Sequence, residues 1–97
     1  MWLLKTVEGA EPELTFRLLP GNIKTVGRAP RADFIVDANL VSRVHCRLTG
    51  GATEIEVVDL DSTNGTFVNG QRIERRGALK AGDRIGIGRV ELEVTSA

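Results

Sequence analysis

Several features that carry function in other proteins are scarce or missing in this sequence. Cys46 is the only cysteine, so the chain forms neither an internal disulfide nor a multi-cysteine metal site. Thirteen basic and thirteen acidic residues cancel, so the composition gives no sign of bulk attraction to nucleic acid or to an anionic membrane. The apolar run at residues 1–5 is too short for a signal peptide, and no later run is long enough to span a bilayer. These absences favour a reducing cytoplasmic setting (or a nuclear one in a eukaryote), with no nucleic-acid or membrane partner.

A helical period is also missing. No window repeats apolar residues at the spacing of an amphipathic helix, and the 11 glycines interrupt the chain too often for a long helix. Short apolar or alternating runs recur instead at roughly 8–12-residue spacing, with turn residues between them, which is typical of an antiparallel sandwich or barrel. The length of 97 residues suits one domain, so we expect a single domain over residues 1–97.

The predicted strands are short; some alternate apolar and polar residues, the period of a half-buried strand, as residues 14–18 do, and others, such as residues 34–36, are continuous apolar runs. A polar connection at residues 8–13, containing Gly9 and Pro12, separates the first two strands, and residues 79–82 are predicted to be a connector. The strands are expected at residues 2–4, 14–18, 23–26, 34–36, 44–48, 55–60, 66–68, 71–73, 83–87 and 90–94.

Turn signals fix several of the connections. Pro20-Gly21 predicts a type II turn, and Gly50-Gly51 predicts a hairpin after the strand at residues 44–48. Two Asn-Gly pairs stand five residues apart, Asn64-Gly65 and Asn69-Gly70, and such pairs favour positive φ at both residues. The second pair lies between two strand-like runs and predicts a two-residue hairpin.

Three loops contain side chains suited to an oxyanion. Arg28 follows Gly27 at a strand exit, Ser42 precedes a strand, and Ser62-Thr63 lies between a strand and a turn. Each has an ordinary alternative: a surface arginine, a local serine turn and a well-capped polar loop. Ten of the thirteen basic residues are arginines, a bias that fits either oxyanion recognition or a genome rich in GC.

Catalytic and metal-binding alternatives fit the sequence less well. A Ser42–His45 pair has no oxyanion loop of the Gly-x-Ser-x-Gly kind and no third partner, and residues three apart on a strand face opposite sides. Cys46 is predicted to lie on an apolar strand face, where thiols are inert. A Ca²⁺ loop starting at Asp59 has Asn64 where glycine is required and Gly70 where glutamate is required. We therefore predict no catalytic residue, no metal site and no cofactor.

The motifs taken together resemble the signature of the forkhead-associated (FHA) domain. They occur in the family's order, as Gly27-Arg28, then residues 42–45, then residues 62–66, then Asn69-Gly70. The match runs from about residue 23 to residue 94, and residues 2–18 fit the family's opening strands. The resemblance implies an antiparallel β-sandwich of about eleven short strands that binds phosphothreonine in partner proteins. The expected function is a phosphothreonine-dependent protein-interaction module of signalling pathways, not an enzyme.

The resemblance also assigns roles to individual residues. Arg28 and Ser42 would hold phosphate oxygens. Arg43 would offer its backbone N–H and its guanidinium, and Thr63 would add a hydroxyl. The side-chain amide of Asn64 would hold the main chain of the bound peptide, because an amide supplies both a donor and an acceptor.

Other positions would shape the site or its specificity. The loop at Asn39-Leu40 resembles the one that selects the third residue after the phosphothreonine, and Leu40 suggests an apolar preference there. The alternative is a domain of the same fold that binds partners without phosphate, including a second copy of itself; the presence of every expected phosphate-site residue argues against it. The residues expected to be structural are Gly27, His45, Gly65, Asn69 and Gly70.

Overall fold

The computed structural model describes residues 1–7 and 13–97 of the chain. In these residues the backbone forms eleven β-strands and no helix, and no segment could cross a membrane as a long apolar helix. Most of the predicted connection at residues 8–13, with Gly9 and Pro12, lies outside the described residues. The strands are β1 (Trp2–Thr6), β2 (Thr15–Leu18), β3 (Ile23–Gly27), β4 (Phe34–Ile35), β5 (Cys46–Gly50), β6 (Ile55–Asp59), β7 (Thr66–Val68), β8 (Gln71–Arg72), β9 (Arg76–Leu79), β10 (Arg84–Ile87) and β11 (Val90–Ser96).

The strands form the two sheets of a sandwich. The six-stranded sheet has the order β2-β1-β11-β10-β7-β8, and the five-stranded sheet has the order β4-β3-β5-β6-β9. Every strand pair in the described residues is antiparallel except β3 with β4, which is parallel. The predicted all-β sandwich is therefore confirmed, with one parallel pair at the edge of the smaller sheet.

The core lies between the sheets because successive side chains of a strand point to opposite faces. β5 alternates buried and half-buried residues along its length, and β11 does the same over its first five residues. A fully buried Leu, Ile or Val side chain contributes about 1.5–3 kcal/mol relative to an exposed one. The largest apolar side chains with almost no exposure are Leu4, Leu18, Leu48, Ile55, Leu79, Ile85, Ile87 and Leu92.

Trp2 links the two sheets at one end of the sandwich. Its side chain is 5% exposed, and the indole N–H donates a hydrogen bond of 2.9 Å to the carbonyl oxygen of Gly51. Trp2 belongs to β1 of the larger sheet, whereas Gly51 directly follows β5 of the smaller one. The buried indole thus has a hydrogen-bond partner and fixes the two sheets relative to each other.

The predicted turns are confirmed at three places. Gly21 has φ of 88°, and the Asn22 N–H donates to the Leu19 carbonyl at 3.0 Å, as a type II turn at Pro20-Gly21 requires. Gly50 pairs with Ile55, so a hairpin follows β5. At the β7–β8 hairpin, Asn69 and Gly70 have φ of 50° and 82°, the positive values of a two-residue type I′ turn.

The sequence-based strand assignments are wrong in two places. β9 was not predicted, because Gly77-Ala78 has low strand propensity; the strand exists because its backbone pairs with β6. Packing also restricts residue 77, since a Cβ on Gly77 would lie 2.8 Å from Cγ2 of Ile73 and would force that side chain to shift. The strand predicted at residues 44–48 begins only at Cys46, so Val44 and His45 belong to the preceding loop.

Candidate functional site

Strand register brings the three candidate loops to one end of the smaller sheet. Val26 near the end of β3 pairs with Cys46 at the start of β5, and Cys46 pairs in turn with Asp59 at the end of β6. Because these strands are antiparallel neighbours, the chain leaves β3, enters β5 and leaves β6 at the same end of the sheet. The loops that begin at Arg28, precede Cys46 and follow Asp59 are therefore adjacent in space.

These loops enclose an open pocket of about 430 Å³. Its lining includes two arginines, two asparagines and two hydroxyl side chains, and it contains no Asp or Glu. All seven residues expected to contact a phosphopeptide or set its specificity contribute to this lining. The lining residues are Arg28, Asn39, Leu40, Val41, Ser42, Arg43, Thr63 and Asn64.

Arg28 is held in place by the loop that precedes β5. Its backbone N–H donates to the Ser42 carbonyl at 3.0 Å, and its side-chain Nε donates to the Val41 carbonyl at 3.1 Å. In residues 1–7 and 13–97 no carboxylate lies within 4.0 Å of this guanidinium, and its two Nη groups make no hydrogen bond. The arginine fork is thus anchored at one nitrogen and has its terminal donors available.

Ser42 connects two of the loops through its side chain. Its Oγ accepts a hydrogen bond of 3.0 Å from the backbone N–H of Thr63. Because the oxygen acts as acceptor there, the hydroxyl proton remains to be donated elsewhere. Two further donors lie beside it, the Arg43 N–H and the Thr63 hydroxyl. Both are available, since neither makes a hydrogen bond to the part of the chain that the structure describes.

His45 joins the Ser42 loop to the loop after β6. It is fully buried; Nδ1 accepts a hydrogen bond of 3.0 Å from the Ser42 N–H, and Nε2 lies 2.8 Å from the Gly65 carbonyl oxygen. A carbonyl oxygen only accepts, so Nε2 must carry the proton and the ring is the neutral Nε2–H tautomer. Neither nitrogen is left to activate the Ser42 hydroxyl. His45 approaches Ser42 at all because both lie in a loop, contrary to the strand geometry assumed from the sequence.

Asp59 organises the loop that follows β6. Its carboxylate accepts hydrogen bonds from the hydroxyls of Ser62 and Thr66 at 2.5 and 2.7 Å and from the Ser62 N–H at 3.1 Å. Partial burial raises the pKa of this carboxyl, but the hydrogen bonds from Ser62 and Thr66 together outweigh it, so the pKa lies below its ordinary value. Ser62 Oγ in turn accepts from the Gly65 N–H at 3.0 Å. The network sets the position of the pocket residues between Ser62 and Gly65.

Asn64 bridges the loop after β6 to the Leu40 segment, residues 39–41. Its Nδ2 donates a hydrogen bond of 3.0 Å to the Leu40 carbonyl oxygen. The sequence-based expectation of positive φ at both residues of the Asn64-Gly65 pair is wrong, because only Gly65 has it, at 88°. The bend here is set by the Asp59 network and not by a two-residue hairpin, so Asn64 keeps an ordinary backbone and its side chain reaches across the pocket.

The residues expected to be structural lie where side-chain volume or turn geometry is restricted. A Cβ on Gly27 would stand 2.1 Å from the Arg43 carbonyl oxygen, and one on Gly65 would stand 2.6 Å from Nε of Arg72. Gly70 and Asn69 form the β7–β8 turn, and Asn69 Oδ1 accepts from the Arg84 N–H at 2.9 Å. These contacts tie the turn to β10.

A family model described as the FHA domain matches residues 24–88, which is more than half of the chain. The chain belongs to the forkhead-associated family. Its fold agrees with a solved FHA domain from Chlamydia trachomatis, with a TM-score of 0.91 and 30% sequence identity over 99% of this chain and 97% of that one. A second solved structure, from an analysis of phosphothreonine-dependent FHA domain interactions, has a TM-score of 0.82 and 28% identity over 99% of this chain and 96% of that one.

Curated relatives of this FHA domain are longer proteins. An ABC transporter ATP-binding/permease protein of Mycobacterium tuberculosis is 43% identical over 81 residues, which are 81% of this chain and 9% of the relative. An oxoglutarate dehydrogenase inhibitor of Corynebacterium glutamicum is 42% identical over 75 residues, which are 77% of this chain and 52% of the relative. The chain thus spans about half the length, or far less, of these relatives.

Sequence reasoning did not identify several residues that support the FHA pocket. Asp59, Ser62 and Thr66 form the network under the loop, and the Asp59–Ser62 spacing of three is a local signal for a side chain that caps a turn. Val41 contributes a carbonyl to Arg28, and Gly88 packs against the Leu40 segment, but nothing local in the sequence marks either contact. In residues 1–7 and 13–97 no three His, Cys, Asp or Glu side chains group as metal ligands would.

Proposed function

We propose that this FHA domain binds phosphothreonine-containing segments of partner proteins in the pocket at the end of the smaller sheet. One observation carries the proposal. Residues spread along the chain from Arg28 to Asn64, each assigned to ligand binding from the sequence, line a single cavity that has two arginines and no acidic residue. The solved FHA relative with phosphothreonine-dependent interactions supports the same ligand.

The phosphate is the part of the ligand that the pocket suits best. A phosphothreonine carries about −1.5 to −2 charges near neutral pH and three strong acceptor oxygens. Arg28 offers its terminal Nη donors, Ser42 its hydroxyl proton, Arg43 its backbone N–H and Thr63 its hydroxyl. Hydrogen bonds to a charged group are worth roughly 1.5–3 kcal/mol each, so a few of them discriminate strongly against an unphosphorylated threonine.

The peptide part of the ligand is held by Asn64 and faces the Asn39-Leu40 loop. Asn64 donates one N–H to Leu40, which leaves its Oδ1 and a second N–H for the ligand main chain. Leu40 is 46% exposed although it is apolar, so it offers a surface for an apolar ligand side chain. This fits the expected apolar preference at the third residue after the phosphothreonine.

The domain acts by binding and not by catalysis. Both nitrogens of His45 are occupied by backbone groups, so the pocket serine has no base. The curated name of the Corynebacterium relative, an inhibitor of oxoglutarate dehydrogenase, also describes action on a partner protein. We propose that residues 1–97 work as one domain, in the cytoplasm (or nucleus, if eukaryotic), where kinases produce phosphothreonine.

The test is a titration of labelled peptides into the purified domain. Phosphothreonine peptides selected from a degenerate library are compared with their phosphoserine and unphosphorylated forms by fluorescence anisotropy. Arg28→Ala is compared with Arg17→Ala, a matched loss of one charge on the exposed face of β2, outside the pocket. We expect the phosphothreonine peptide to bind tightly and the unphosphorylated peptide not to, and we expect Arg28→Ala, but not Arg17→Ala, to lose this binding. Equal binding of the phosphothreonine and unphosphorylated peptides would favour the phosphate-independent or self-associating alternative.

A further inference from the structure

The backbone of Leu40 has a conformation that its side chain disfavours. Its φ is 72°, in the left-handed region that glycine and asparagine tolerate better than leucine. Such a conformation persists only where the surroundings impose it. The Leu40 segment, residues 39–41, therefore needs specific contacts to hold it, and these contacts are visible.

The turn between β10 and β11 packs against the Leu40 segment. A Cβ on Gly88 would lie 3.1 Å from the Asn39 carbonyl oxygen and 3.1 Å from the Leu40 carbonyl carbon. The backbone of that turn thus packs directly against the segment. This contact blocks movement in one direction but provides no hydrogen bond.

The side-chain hydrogen bonds that hold the segment come from ligand-binding residues, and the backbone adds one from the Val41 N–H to the Ala38 carbonyl at 3.4 Å. Asn64 donates Nδ2 to the Leu40 carbonyl at 3.0 Å, and Arg28 donates Nε to the Val41 carbonyl at 3.1 Å. The amide orientation of Asn64 follows from its partner, because a carbonyl oxygen requires a donor opposite it. Two consecutive carbonyls of the segment are therefore fixed by the residues proposed to bind the peptide main chain and the phosphate.

We infer that Asn64 is also a positioning residue for specificity. Its amide holds Leu40 in the conformation that lines the pocket, so that binding of the ligand main chain and discrimination among ligand side chains are coupled. The inference rests on the proposed function, and it adds that affinity and side-chain selectivity are not independent properties of this pocket. A residue that served only the ligand main chain would alter affinity for all phosphopeptides by the same factor.

The experiment measures selectivity separately from affinity. In a phosphothreonine peptide that binds the wild type, each of the four positions after the phosphothreonine is varied between Leu and Ala. The Kd of the Ala peptide divided by the Kd of the Leu peptide gives the selectivity ratio at that position. The ratio is measured for wild type, Asn64→Ala and Thr63→Ala. Thr63→Ala is the matched control, because its side chain lines the same pocket but makes no bond to the Leu40 segment.

At the position that contacts Leu40, the wild-type ratio should fall about threefold or more in Asn64→Ala, a typical coupling between neighbouring groups. In Thr63→Ala the affinity should fall with the ratio unchanged. In Leu40→Gly, which removes the apolar side chain and relieves the left-handed backbone, Asn64→Ala should have no further effect on the ratio. Melting curves check the fold of each variant, and Asn64→Asp, which keeps the side-chain volume and loses the donor, provides a second removal of the bond.

The outcomes separate this inference from the proposed function. A wild type that ignores phosphorylation overturns the proposed function itself. Phosphate-dependent binding with the same selectivity ratio in wild type, Asn64→Ala and Asn64→Asp overturns only the coupling. A wild type that binds the phosphopeptides but has a ratio near one at all four positions also overturns it, since the Leu40 segment would then select nothing.

Discussion

Replacing His45 by alanine should destabilise the domain, and the size of the effect follows from its two hydrogen bonds. The ring is fully buried, and its loss leaves the Ser42 N–H and the Gly65 carbonyl without partners. A buried unsatisfied backbone group costs about 1–3 kcal/mol. Water entering the vacated space offsets part of this, so we expect the free energy of unfolding to fall by about 2–4 kcal/mol. In a domain of this size that corresponds to a fall in Tm of about 10–20 °C.

Two further substitutions test the origin of the effect. In His45→Asn the side-chain oxygen takes the place of Nδ1 and keeps the bond to Ser42, but it does not reach Gly65. In His45→Gln the amide nitrogen takes the place of Nε2 and keeps the bond to Gly65. Each should lose less stability than His45→Ala by thermal melting followed with circular dichroism. An unchanged Tm in His45→Ala would refute the role of the imidazole as a brace between the two loops.

Five other outcomes follow from the structure. Arg28→Ala should weaken phosphopeptide binding at least ~10-fold without unfolding the domain, since it removes charge-assisted hydrogen bonds to the ligand from an exposed side chain; an affinity equal to that of Arg17→Ala would contradict this. Binding should decline below about pH 6, where the phosphate takes up its second proton, and a flat profile down to pH 5 would count against a dianion-selective site. The fold should persist to lower pH than binding does. Because folding lowers the pKa of Asp59, the stabilisation by its carboxylate is complete above the ordinary Asp pKa of about 4 and is lost as the pH falls below that value. Tm measured from pH 7 to 3 should therefore drop only below about pH 4, and it should drop less in Asp59→Asn. Burial raises the pKa of the Cys46 thiol to about 12, so iodoacetamide should alkylate it only after denaturation; modification of the folded protein at pH 8 would contradict its burial. Gly27→Ala should lower Tm or abolish soluble expression, because the added methyl would overlap a carbonyl oxygen of the neighbouring loop, and a wild-type melting curve would contradict that packing.

The parts of the fold that were predictable from sequence are those specified by local pattern. Short apolar or alternating runs marked ten strands, and the turns at Pro20-Gly21 and Asn69-Gly70 followed from their φ preferences. β9 was not predictable in this way, because Gly77-Ala78 has no strand signal of its own and its strand conformation depends on pairing with β6. The parallel β3–β4 pair has the same origin in tertiary contacts.

In the candidate site, too, some features were predictable from the sequence and others depend on tertiary contacts. The resemblance of the motifs to the FHA signature predicted which side chains would line a pocket, and the structure places all of them around one. The hydrogen bonds that support them were not predictable: Asn64 to Leu40 and Arg28 to Val41 join loops far apart in sequence. The unusual backbone of Leu40 was equally hidden, because leucine gives no local indication of a left-handed conformation.

The hydrogen bond between Trp2 and Gly51 has a practical consequence for spectroscopy. Trp2 is the only tryptophan and the chain has no tyrosine, so ultraviolet-excited emission above 300 nm comes from a single indole. β5 runs from the pocket end of the sandwich to Gly50, a length of about 17 Å at the usual rise per residue. Emission therefore reports denaturation through one fluorophore at the end of the sandwich opposite the pocket, and a titration that leaves the spectrum unchanged is no evidence against complex formation.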